Sequence, residues 1–232
     1  MYLLTETASP FALERWAAFF ANFGQFAKGF FYTLGISIGA LIVALLLGLI
    51  FGAMSSTHNK VLRGISRVYV EIFQNTPLLV QFVVVFYGIS ILTDGHVMIS
   101  ISLTAILCVG VYTGAYISEI IRTGIEAVPK GQTEAALSQG FTYADTMRII
   151  ILPQAVRTIL PPLTNQVVNL IKNTSTVAII SGADIMFTAK ACANDTTNYV
   201  PAFAGAAFLY FIMCFPLATW ERRKEEENKK AY

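Results

Sequence analysis

The strongest constraint on this chain is where its charges are missing. Asp, Glu, Lys and Arg are absent from Gly29 to Asn59, Ile72 to Thr93, Gly95 to Ser118 and Thr196 to Trp220. A helix needs about 20 predominantly apolar residues to cross a bilayer, so each of these stretches is long enough to span. A fifth run, Thr158 to Ala183, is interrupted only by Lys172. Charged residues make up 13% of the 232 residues, against about 25% in a soluble domain. The expectation is an all-α integral membrane protein with five transmembrane helices.

Basic residues set the expected orientation, because Lys and Arg near span ends are retained on the cytoplasmic side. The 55–67 loop carries Lys60, Arg63 and Arg67, and the 122–157 loop carries Arg122, Lys130, Arg148 and Arg157. The tail carries Arg222, Arg223, Lys224, Lys229 and Lys230, whereas the opposite side has only Arg15, Lys28 and Lys190. Twelve against three places the N-terminus outside and the C-terminus in the cytoplasm. The opening MYLLTETASP has no basic n-region, so the first span is expected to serve as its own insertion signal. The net charge of +2 gives no reason for a nucleic-acid partner, and three scattered cysteines form neither a disulfide framework nor a ligand set.

The chain divides into an extracytoplasmic interfacial segment over 1–28, a transmembrane domain over 29–220 with a water-facing insert over 124–157, and a charged cytoplasmic tail over 221–232. Ser9 and Pro10 mark a helix start, followed by Phe11, Trp16, Phe19, Phe20, Phe23 and Phe26, rings suited to the outer membrane interface. Gly35, Gly39, Ala40, Ala44, Gly48 and Gly52 in the first span, and Gly110, Gly114 and Ser118 in the third, are small residues at steps of four. They let helices approach closely, either within this chain or against a second copy.

The insert itself reads as two short helices, Gln132 to Gln139 and Thr142 to Leu152, with Pro153 as the stop. Gly140 suits the left-handed position that ends the first helix, and Thr142 with Asp145 has capping-box spacing for the second. From local physics alone, this is a helical hairpin outside the membrane. In the fourth span, Asn165, Asn169, Lys172, Asn173 and Thr176 recur at steps of three or four and share a helical face. Such a stripe faces other helices or a wet cavity, and a cation there must be paired or near water. Glu71 and Glu119 are candidate partners for Lys172, and a substrate pathway is the other reading.

Glu134, Ala135, Ala136, three residues, Gly140, nine residues, Ile150, one residue, then Leu152 and Pro153 together resemble the EAA loop of ABC importer membrane subunits. NTPLLVQ from Asn75, GAYISEIIRTGIEAVPKGQTEAA from Gly114 and LIKNTSTVAII from Leu170 are similar to segments of the polar amino acid permease family. The similarity runs from about Gly29 to Trp220. It implies the type I ABC importer permease fold in a bacterial cytoplasmic (inner) membrane, with no enzyme activity in this chain.

The resemblance also implies partners: a cytoplasmic ABC ATPase dimer holding ATP and Mg, a second permease copy or a related permease, and an extracytoplasmic amino acid binding protein. The EAA residues would dock on the ATPase. Gln81, Glu119, Asn169, Lys172, Asn173, Ser175 and Thr176 are the expected substrate pathway. Asn75 stands where the family frequently has Arg. Asn173 stands where it often has Asp, and the loss of that acid leans toward neutral or acidic rather than cationic amino acids. ABC permeases for other small solutes and gradient-driven secondary amino acid transporters are the alternatives. The chain has no GxxxxGK[ST] phosphate loop, no HExxH metal pair and no GxSxG nucleophile turn.

Overall fold

The computed structural model describes residues 13–230, which are almost entirely helical. Helix α1 is Leu13–Ala21, α2 Phe23–Ser55, α3 Lys60–Gln74, α4 Leu78–Leu92 and α5 Ile101–Glu126. Helix α6 is Lys130–Ser138, α7 Tyr143–Ile180, α8 Ile185–Thr196 and α9 Tyr199–Lys230. Among the described residues, three helices, α2, α5 and the Tyr199–Arg223 part of α9, are long and apolar enough to cross a membrane. The bent pairs α3 with α4 (97°) and α7 with α8 (48°) raise the count to five when each is one span.

The centre of the molecule is the crossing of α2 and α5. Ala40, Ala44 and Gly48 of α2 are buried, while Ile38, Ile42, Leu46 and Leu49 of the same helix are each more than half exposed. Small residues point inward and large apolar ones outward, the reverse of a soluble core. Lipid is as apolar as leucine, so association rests on close packing instead of apolar burial. A Cβ on Gly48 would lie 2.4 Å from Ile117, and one on Gly110 would lie 2.7 Å from Val43 and 3.0 Å from the Ala40 carbonyl. The small-residue steps therefore serve packing within this chain. Gly35 is the exception, since nothing lies within 4 Å of a Cβ built there.

The second expected span differs in the structure. The 55–67 segment is not a loop beyond Asn59, whose side chain caps α3 by accepting from Val61 N (2.9 Å) and Leu62 N (3.4 Å). Ser66 and Tyr69 of α3 face the protein, donating to Phe51 O and Val111 O at 2.7 Å each. Val61, Ile65, Val68 and Ile72 form a separate exposed stripe. The cations of this segment obscured its helical period. The chain then turns at Asn75–Pro77, because proline disfavours a helical residue before it and supplies no N–H.

The N-terminal aromatics also fall differently. Ser9, Pro10 and Phe11 lie outside the described residues. Phe23 and Phe26 belong to α2, and Phe19 of α1 is buried against Phe26 (centroids 4.9 Å apart) and Gly205 of α9. Helix α1 is thus packed onto the bundle through Phe19. The second core cluster joins it to α2, α8 and α9.

Substituting Gly110→Val overpacks the α2–α5 crossing against a backbone carbonyl, a cost of about 1–3 kcal/mol. The thermal transition of the purified protein in detergent should fall, whereas Gly35→Ala should leave it unchanged or raise it. Equal transitions for the two variants would refute the packing argument.

Candidate coupling loop and substrate pathway

The water-facing insert is built by its caps. Helix α6 starts at Lys130 after Pro129 and ends in a Schellman turn, with Phe141 N bonded to Ala136 O (3.1 Å) and Gly140 N to Leu137 O (3.0 Å). Gly140 sits at φ +87°, a backbone region that side chains other than glycine's disfavour. Thr142 then caps the next helix, its Oγ1 accepting from Asp145 N at 3.2 Å and donating to Asp145 Oδ2 at 2.6 Å.

The second insert helix does not stop at Pro153. It widens to a π-turn over Thr146–Ile151 and continues through Leu152 to Asn173, then tightens to a 3-10 turn over Thr174–Ile180. Pro153 cannot donate to the preceding turn and its ring crowds the carbonyl four residues back. A wide turn immediately before it relieves that conflict. The insert is therefore one short helix plus the leading end of a membrane helix.

Helix α6 packs against this π-turn. Ala136 is buried at the contact, whereas Glu134 and Ala135 are exposed. Among the described residues Glu134 makes no side-chain hydrogen bond or ion pair, so it caps nothing within the insert. Ile150 is half-buried, and Leu152 and Pro153 are exposed. Leu137, Phe141, Tyr143 and Ile149 add exposed apolar surface on the insert. Sequence reasoning missed them, although large apolar side chains on a short polar hairpin are themselves a signal of a partner surface. His58, between α2 and α3, meets Tyr143 edge to face with ring centroids 5.2 Å apart, joining the hairpin to that corner.

The expected pathway residues occupy three places. Gln81 lies at the α3–α4 corner, its amide donating to Thr76 Oγ1 (2.8 Å), Thr76 O (3.1 Å) and Phe73 O (3.3 Å). Glu119 accepts from Arg122 Nε at 3.0 Å, and Arg122 also pairs with Glu126. This trio borders a cavity of ≈ 380 Å³ shared with Arg63, Arg67 and Glu71. Glu71 accepts from the Asn75 amide at 2.9 Å. Neither acid pairs with Lys172, which makes no ion pair among the described residues.

Lys172 is exposed, with Asn165 and Asn169 two turns and one turn before it and linked at 3.4 Å. Asn173 and Thr176 are half-buried. The 3-10 turn from Thr174 advances about 120° per residue instead of 100°, so the face predicted for a uniform helix rotates there. Lys172 and Ser175 line a cavity of ≈ 310 Å³ with Met186, Phe203, Ala206 and Tyr210.

Behind that cavity stands Asp184, fully buried, at the break between α7 and α8. Its carboxylate caps α8 by accepting from Met186 N (3.0 Å) and Phe187 N (3.1 Å), and it accepts from Tyr210 Oη at 3.3 Å. Thr33 of α2 takes the Ile185 N–H at 3.2 Å. Four helices meet here, and neither Asp184 nor Tyr210 was singled out from sequence. Asp184 merely ended an apolar run, and only the fold brings Tyr210 to it.

The arrangement defines a class: a helical protein with long apolar spans, two of them broken, a small cavity between them that holds one lysine, and a capped hairpin with exposed apolar side chains. The model of the family described as binding-protein-dependent transport system inner membrane component matches residues 44–223, and the chain belongs to that family. It is 37% identical over 216 residues (92% of this chain, 97% of the relative) to the probable glutamine ABC transporter permease protein GlnM of Bacillus subtilis. It is 32% identical over 200 residues (82% and 81%) to the glutamate/aspartate import permease protein GltJ of Escherichia coli K12. The crystal structure of an amino acid ABC transporter with histidines superposes with TM-score 0.81 at 32% identity, over 90% of this chain and 98% of that one. An inward-facing MetNI methionine ABC transporter, at 16% identity and TM-score 0.68, shares the fold. The all-helical type I ABC importer permease fold follows.

Gly140→Ala keeps the hairpin sequence but places a Cβ at positive φ, costing about 1–2 kcal/mol. Amide hydrogen exchange over 130–152 should accelerate about 5- to 30-fold, with little change in α2 and α5. Gly131→Ala, at ordinary φ and with nothing within 4 Å, should not produce this effect. Unchanged exchange in Gly140→Ala would show that the turn is not held by its glycine.

Proposed function

We propose that this chain is the membrane permease subunit of an ATP-driven importer for a polar amino acid of the glutamine or glutamate kind, working by alternating access in a bacterial inner membrane. Its N-terminus faces outside and its C-terminus the cytoplasm, in keeping with the twelve-to-three split of basic residues. An extracytoplasmic binding protein delivers the amino acid. A second permease, identical or related, completes the path, and a separate cytoplasmic ATPase dimer holds ATP and Mg and receives the EAA hairpin.

One observation carries this reading. Helix α6 packs on Thr146–Ile151, and that turn runs unbroken through helix to Lys172. At 1.5 Å per residue this is roughly 40 Å of continuous backbone, long enough to carry a displacement at the hairpin to the cavity beside Lys172. The exposed Leu137, Phe141 and Ala135 give the ATPase an apolar surface, and Glu134 gives it a free carboxylate. The glutamine and glutamate/aspartate names of the relatives, together with Asn173 in place of an acid, support an amino acid without positive side-chain charge.

Vesicles carrying the chain with its co-expressed partners should take up labelled L-glutamine or L-glutamate only with ATP on the cytoplasmic face. Leu137→Asp, at a half-exposed position, should lower the ATPase that copurifies with the permease and lower uptake at least tenfold while the permease still folds. Uptake that ignores ATP and follows an ion gradient would overturn the reading. Unchanged ATPase recovery in the variant would remove the hairpin's exposed face from the interface.

A further inference from the structure

Helix α3 carries two arginines, Arg63 and Arg67, that make no ion pair among the described residues, although both border the ≈ 380 Å³ cavity against α5. The acids of that cavity are engaged elsewhere: Arg122 joins Glu119 and Glu126, and Glu71 accepts from the Asn75 amide at 2.9 Å. Ser55 and Ser66 donate to backbone carbonyls. At 3.6 residues per turn, Lys60, Arg63 and Arg67 share one face of α3. Val61, Ile65, Val68 and Ile72 lie on another, all four about half exposed or more. Gly64 falls between the two faces. Glycine is a poor helix former, and nothing lies within 4 Å of a Cβ built at Gly64, so packing within the chain does not require it.

The apolar stripe ends at Ile72, and Ile72 also lines a groove of ≈ 470 Å³ with Val80, Val84, Ile89 and Leu107. No charged residue is in that lining. Its polar side chains Gln81 and Thr76 bond to each other at 2.8 Å and to backbone carbonyls. A groove without a free donor suits hydrocarbon, and two guanidinium groups a turn apart suit a phosphate. We infer that α3 binds an anionic phospholipid of the inner leaflet, with its phosphate on Arg63 and Arg67, its glycerol over Gly64, and an acyl chain along the stripe into the groove. From Arg67 to Ile72 the helix rises roughly 7 Å, a distance that the glycerol and first methylenes cover. A zwitterionic headgroup brings its own ammonium toward the arginines and so binds more weakly. The inference rests on the orientation that puts 55–67 in the cytoplasm and is independent of the transported substrate.

The test is native mass spectrometry of the purified full complex, delipidated in detergent and titrated with phosphatidylglycerol and phosphatidylcholine of the same acyl chains. Phosphatidylglycerol should be retained at least tenfold more tightly. Arg63→Gln combined with Arg67→Gln should remove that preference, lowering phosphatidylglycerol affinity about 5- to 30-fold with a smaller loss for phosphatidylcholine. Val80→Trp, which fills the groove, should weaken both lipids alike and keep their ratio. Gly64→Leu should also weaken both, whereas Gly64→Ala keeps most of the binding. These positions are exposed, so the thermal transition of each variant should match that of the wild type.

Arg222→Gln combined with Arg223→Gln removes the same charge from α9 and should leave the preference intact. An equal loss there would show general attraction to a basic surface in place of a site. Displacement of phosphatidylglycerol by soluble sn-glycerol 1-phosphate at equal concentration would assign the arginines to a free phosphate. A second permease copy on this face would appear as a disulfide-linked permease pair in Val68→Cys that is absent from the wild type. Any of these three results overturns the inference, as does a wild-type complex that retains the two lipids equally. ATP-driven uptake is measured separately, so the importer reading stands or falls on its own.

Discussion

The fold depends on two helices coming closer than ordinary side chains allow. Where lipid surrounds the protein, burying leucine gains little, and contact must come from dispersion and hydrogen bonds at short range. Ala40, Ala44 and Gly48 of α2 meet Gly110, Gly114 and Ile117 of α5, and the space left by Gly114 admits the Tyr69 hydroxyl to the Val111 carbonyl. That bond fixes α3, and α3 in turn fixes the corner from which α4 departs. The same crossing carries the core onto which Leu170 and Val177 of α7 pack. Removing the close approach would therefore loosen the elements that frame both the hairpin and the cavity.

The breaks in the helices are supported as specifically as the helices. At Asn75–Pro77 the freed carbonyls of Phe73 and Thr76 receive the Gln81 amide. At 181–184 the chain passes through Ser181 at φ 60°, and Asp184 then takes the first N–H groups of α8. Backbone polar groups in a membrane must find partners within the protein. A break is thus stable only where a side chain replaces the missing ladder. The side chain doing so at the second break is a buried carboxylate, which also reaches Tyr210 and so links backbone continuity to the chemistry of the cavity wall.

What was legible in the sequence follows from the range of the interactions involved. Charge-free runs located the apolar helices because insertion depends on composition over about 20 residues. Gly140 and Thr142 were legible because a Schellman turn and an N-cap are set by neighbours in the chain. Lys60–Gln74 was not, since its three faces, one on the protein, one apolar and exposed, one cationic, give a period only when the partner helices are known. Pro153 misled because a proline ends an ordinary helix, and the π-turn that accommodates it has no residue signature. At the site, the EAA spacing identified the hairpin, whereas its exposed Leu137 and Phe141 needed the burial of Ala136 to show which face was free. Lys172 stood out as a charge in an apolar run. Tyr210 and Asp184, 26 residues apart, acquire meaning only from each other.

The hairpin and the cavity share α7, and this has a thermodynamic consequence. If docking at α6 shifts α7 between two positions, and Lys172 meets the ligand differently in each, the two binding events are linked and each changes the other by the same free energy. No additional relay is required, because one helix bears both contacts. The wide turn at Thr146–Ile151 and the tight one at Thr174–Ile180 bracket an α-helical stretch that carries Pro161 and Pro162 in its interior. Deformation is easier in irregular turns than in a regular ladder. A displacement of α6 would therefore meet yielding backbone at the two ends of α7 and also at Pro161 and Pro162, whose missing N–H groups interrupt the ladder between them.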